Sequence, residues 1–127
     1  MAPNASKTVL DVGNCVPDHA AICRLVTSHF QAQVLQAHLP ADTLETLRRQ
    51  PVDLVLINRK LDQDYSDGME ILKQIKADAQ LRQVPVMLVT NYADHQALAV
   101  AAGAEPGFGK LALDTPDTLE KLSRFLG

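Results

Sequence analysis

Two nearly continuous apolar runs, DLVLI at 53–57 and PVMLV at 85–89, limit this chain most. A strand that is apolar on both sides has to be covered on both faces, and parallel sheets provide that cover with helices. Three further stretches fit the same role, at 8–12, 34–37 and 105–110. The last is the weakest strand, because Pro106, Gly107 and Gly109 all disfavour regular pairing.

Helical patterns fill the gaps. Residues 18–30 bring Ile22, Leu25, Val26 and Phe30 to one face, with Pro17 near the start. Segment 43–50 offers Leu44 and Leu47, and 68–78 offers Met69, Leu72 and Ile75. The alanine-rich 92–102 stops at Gly103, a favoured residue just past a helix end. Helix 118–126 follows Asp114-Thr115-Pro116-Asp117, which supplies a cap, a first-turn proline and a first-turn acid. Strand then helix, five times, predicts an α/β doubly wound fold with one parallel sheet in a single domain over 1–127. Ligands of such sheets gather in loops at the carboxyl ends of the strands; here these are 13–17, 58–67, 91–92 and 110–114.

Composition narrows the class. With 127 residues and 46% hydrophobic residues the chain can bury a core, and a net charge of −3 argues against nucleic acid as a partner. Two cysteines, no apolar leader at the start and no run long enough to span a bilayer predict a cytoplasmic protein with no membrane association.

Four stretches together resemble the response-regulator receiver domain of two-component signalling: KTVLDVGN (7–14), PVDLVLIN (51–58), PVMLVTN (85–91) and AAGAEPGFGK (101–110). Asp67-Gly68 matches the Asp-Gly that opens that family's third helix. The resemblance implies a flavodoxin-like (βα)5 fold with strand order 2-1-3-4-5. It also assigns roles, and most key positions depart from the family pattern. The acid pair falls on Gly13 and Asn14, the phosphoacceptor on Asn58, and the switch aromatic on Gly107. Leu111 replaces the proline after the lysine, while Thr90 and Lys110 remain. The loop RKLDQDYS (59–66) is two residues longer than is usual in the family.

Those departures change the chemistry. Aspartyl phosphorylation needs a carboxylate nucleophile and a magnesium ion held by carboxylates. An amide nitrogen, its lone pair delocalised, cannot form an acyl phosphate. The resemblance therefore implies a degenerate receiver: a signalling module without enzyme activity, cofactor or metal, independent of phosphorylation. It would act on a signalling protein through the face of the fourth helix, fifth strand and fifth helix, with a second copy of itself as another candidate partner. The alternative is a ligand sensor taking a small anion at Asn14, Asn58, Arg59, Thr90 and Lys110. In a third reading the alignment is wrong and the acceptor is Asp53, Asp62 or Asp64.

Other groups read more plainly. Asp62, Asp64 and Asp67 miss the EF-hand template, with Asp67 in its glycine place and Lys73 in its glutamate place, and read as a turn-forming loop. Cys15 and His19 are spaced as a nucleophile and base but show no third orienting group. Cys23 reads as a small buried residue, and His29, His38 and His95 as solvated. Tyr92 either lines the site mouth or packs over the fourth helix. Lys110, deprived of an acceptor carboxylate, is expected to turn to the Asn58 oxygen and water.

Overall fold

A computed structural model describes residues 6–127; the start of the chain, on which the leader reading rests, lies outside them. The described chain runs β1 (Lys7–Val12), α1 (Val16–His29), β2 (Ala32–Ala37), α2 (Pro40–Arg49), β3 (Leu54–Asn58), α3 (Met69–Ala77), β4 (Val86–Val89), α4 (Ala93–Ala101), β5 (Glu105–Phe108), a 3-10 turn (Lys110–Ala112) and α5 (Pro116–Leu126). All strand pairs are parallel and the order is β2-β1-β3-β4-β5, as expected.

Strand alternation splits the core in two. Leu10, Val55, Ile57, Val86 and Leu88 pack with Leu47, Ile71, Leu72, Ile75 and Ala99 from α2, α3 and α4. Val9, Leu54, Leu56, Met87 and Val89 pack with Ile22, Leu25 and Val26 of α1 and Leu122 and Leu126 of α5. This is why the two defining runs carry no polar residue within their strands, Leu54–Ile57 and Val86–Val89: their alternate side chains enter different cores.

Element ends moved where capping chemistry was underestimated. α2 starts at Pro40 instead of residue 43, because the Asp42 carboxylate accepts from the backbone of His38 (2.9 Å) and Leu39 (2.8 Å). α5 starts at Pro116, with Thr115 Oγ1 accepting from Thr118 N. β2 begins two residues early, at Ala32, in register with Lys7. β5 ends at Phe108, so Lys110 lies in the following 3-10 turn instead of on the strand. Pro106 is tolerated because β5 is an edge strand whose register with β4 shifts between Met87 and Val89. Thr90 falls one residue past β4, its N–H still bonded to Phe108 O at 3.0 Å.

Candidate functional site

The carboxyl ends of β1, β3 and β4 bring Gly13, Asn14, Asn58 and Thr90 to one end of the sheet. Asp53 belongs to the opposite end, where its carboxylate accepts from Thr8 N at 2.8 Å. Asn58 turns its amide inward, donating Nδ2 to Lys60 O at 2.6 Å and Gly13 O at 3.3 Å. A carboxylate offers no donor for either carbonyl, so the local backbone is built around an amide.

The β1 side is filled by protein. Asp11 is fully buried, and its two oxygens take Asn14 Nδ2 and His19 Nδ1, the latter at 2.6 Å. Asp11 shares strand parity with Val9, and so faces α1, where His19 stands one turn before Ile22. That pairing was legible from these spacings and was missed. His19 therefore has an orienting acid, but its other nitrogen meets Cys23 Sγ at 3.4 Å, while Cys15 Sγ donates to Asp18 at 3.2 Å. Cys23 is half-buried instead of enclosed, and burial, with Asp11 nearby, pushes its thiol pKa up, away from a thiolate. Asn14 Oδ1 is buried with no partner among the described residues.

Lys110 does not turn to Asn58. Its ammonium reaches Asp18 Oδ2 at 2.6 Å, across from the first turn of α1. A full ion pair with a carboxylate outcompetes an amide oxygen for an ammonium. The hydrogen bond from Lys110 holds the Asp18 carboxyl below its ordinary range. Two of the three histidines read as solvated also have partners: His38 Nδ1 lies 3.3 Å from Asp62, and His95 Nδ1 lies 3.1 Å from Thr90 Oγ1. In the 58–67 loop Asp64 accepts from Ser66 N and Oγ, and Asp67 accepts from Met69 N, which fits the turn-forming reading.

What stays open is a cavity of about 290 Å³ lined by Asn58, Arg59, Lys60, Val89, Thr90, Asn91, Tyr92, His95 and Lys110. Four of the five anion-site residues line it; Asn14 does not, since it is buried against Asp11. Tyr92 stands at the rim as the residue that precedes α4, its ring edge-on to His95 at 5.1 Å.

Behind the cavity, Gln96 performs a role that sequence reasoning missed. Its amide donates to Leu88 O at 2.9 Å and Thr90 O at 3.3 Å, and its oxygen accepts from Gly107 N at 2.9 Å. One α4 side chain thus ties β4 to β5 where β5 is irregular. Gln96 lies three residues before the buried Ala99, so a polar residue on the inward stripe was the available signal.

Burial raises the Asp11 carboxyl pKa, against the opposing hydrogen bonds from His19 and Asn14. Its contribution to stability is therefore complete below the unfolded value of 3.8 and declines as pH rises through the raised folded value. Asp11→Asn is expected to gain on the parent protein as pH climbs toward neutrality. Urea midpoints across a pH series read this directly; a difference constant with pH would exclude Asp11 as the titrating group.

The family model described as "Response regulator receiver domain" matches residues 14–108. Among solved structures, the N-terminal signal receiver domain of a two-component system response regulator from Bacteroides fragilis superposes with a TM-score of 0.72 at 29% identity, covering 94% of this chain and 96% of that one. A response regulator receiver protein from Pseudomonas putida gives 0.76 at 17% identity, covering 96% and 99%. The chemotaxis response regulator CheY4 of Vibrio cholerae gives 0.75 at 18%, covering 96% and 100%. No curated protein matches the sequence. Among the described residues no helix is long and apolar enough to cross a membrane.

Proposed function

Because the chain belongs to the response regulator receiver domain family, we propose that it is a degenerate receiver of two-component signalling that works without aspartyl phosphorylation and without enzymatic activity. One observation carries this reading: β3 ends on Asn58, whose amide is spent as a donor to Gly13 O and Lys60 O. Attack on a phosphoryl donor needs a free carboxylate at that strand end, and magnesium needs carboxylate oxygens beside it. Gly13 and Asn14 supply none, and Asp11 is buried against His19.

Output without phosphate requires a surface that is already in its binding form. The α4–β5–α5 face suits that role, since Gln96 ties α4 to both strands and Gly107 offers no aromatic ring to rotate. Leu98 and Val100 on α4 and Leu111 beyond β5 are exposed, an apolar surface for a signalling partner or for a second copy. Acetyl phosphate, or beryllofluoride with magnesium, is the test. Intact mass is expected to stay unchanged, and amide resonances around Asn58 to show no magnesium-dependent shift. Stoichiometric modification overturns the reading.

A second reading keeps the same fold and makes the cavity a sensor for a small anion. It is favoured by a lining that holds Arg59 and Lys60, with His95 and the Asp18-paired Lys110 beside them, and no carboxylate on the cavity wall.

A further inference from the structure

We propose that the cavity beside Asn58 binds a nucleoside phosphate, its phosphate held by Arg59 and Lys60 and its base stacked on Tyr92; this rests on the anion-sensor reading and names the ligand class. The charges at the cavity are unequal in their freedom. Lys110 is already neutralised by Asp18 at 2.6 Å. Arg59 and Lys60 have no ion pair or side-chain hydrogen bond among the described residues, so their charges are unspent at the wall of a concave site. A phosphate is the anion such a pair meets best, since the guanidinium fork and the ammonium both donate to its oxygens.

Inorganic phosphate alone leaves the rest of the cavity unexplained. A volume of about 290 Å³ lies near the lower end for organic ligand sites. At its rim Tyr92 is 64% exposed, in a chain with only two tyrosines and no tryptophan. The Tyr92 ring meets His95 edge-on at 5.1 Å and 70°, and His95 in turn is bonded to Thr90 Oγ1. An exposed aromatic ring beside unpaired cations is the arrangement that takes a flat base and its phosphate together. Asn91 adds direction. Its oxygen is committed to Leu111 N, so its amide N–H groups remain as donors for the ring nitrogens or carbonyls of a base.

The test titrates the whole chain with AMP, adenosine and inorganic phosphate at low salt, followed by calorimetry and amide shifts. AMP is expected to bind about tenfold more tightly than phosphate, the scale of one base stacked on an aromatic ring. Adenosine is expected not to saturate. Tyr92→Ala should bring AMP down to the phosphate level and leave phosphate binding unchanged, while Arg59→Gln should weaken both. Unchanged thermal midpoints for these two surface variants keep the comparison on binding. If AMP binds no better than phosphate, the nucleotide assignment fails and the anion reading stands. If adenosine binds as well as AMP, the phosphate subsite is wrong. If none of the three binds, both readings fall.

Discussion

Gly13→Asp, which would restore one carboxylate to the end of β1, is expected to lower stability by about 2–4 kcal/mol instead of rebuilding a metal site. Gly13 has φ +76°, a left-handed conformation that costs a side-chain-bearing residue about 1–2 kcal/mol. A Cβ there would stand 2.5 Å from Leu61 Cδ2 and 3.2 Å from Leu61 Cα, and Leu61 is buried in the core. The backbone has little room to relax. Gly13 N donates to Ala37 O at 2.9 Å, and Gly13 O accepts from Asp62 N at 3.0 Å as well as from Asn58. Urea unfolding measures the loss, and Gly13→Ala, which carries the same Cβ without charge, should show most of it. Asn58→Asp alone is expected to remain unphosphorylated by acetyl phosphate, since no carboxylate pair stands beside it to hold magnesium. If Gly13→Asp keeps the parent midpoint, the loop is softer than its hydrogen bonds imply and one carboxylate can be restored at the end of β1 without loss.

Legibility in the sequence followed the range of the forces involved. The parallel sheet covered on both faces could be read because DLVLI and PVMLV state their burial locally, while the strand order came from the resemblance. The early start of α2 was hidden because its cap, Asp42, reaches backward to His38 and Leu39. The cavity residues were mostly visible, since the resemblance aligned Asn58, Thr90 and Lys110 and the loop numbering supplied Arg59. What failed was pairing. Lys110 chooses Asp18, 92 positions away, and His19 chooses Asp11 over Cys15. Such choices are decided by which charges the fold places within about 3 Å, and spacing along the chain does not report that. Asp11 nevertheless left a trace: a charge inside an otherwise apolar strand has to find a partner on the helix it faces.

Reinstating the aromatic ring at the switch position is expected to break the β4–β5 edge. In Gly107→Tyr a Cβ would meet Leu88 O at 2.3 Å, with Gln96 Oε1 at 3.1 Å and Nε2 at 3.3 Å. Leu88 O is backbone of an interior strand, so β5 must move away from β4 and the bond from Gly107 N to Gln96 is lost. A cost of about 3 kcal/mol follows from overpacking together with the unpaired groups left behind. Gln96→Ala separates the two contributions. It removes the tie without adding bulk, leaving Leu88 O and Gly107 N short of a partner, and is expected to cost about 2 kcal/mol. The double variant decides what closes the slot. Were Gln96 the only obstacle, Gln96→Ala would make room for the ring and the pair would be as stable as Gln96→Ala alone. With Leu88 O as the harder contact, the double variant should remain less stable than either single change. Chemical denaturation of the four proteins measures this coupling, and it tests the fixed α4–β5–α5 face directly. A stable double variant would return a movable ring to this edge and remove the support for a fixed output face, leaving the argument from Asn58 untouched.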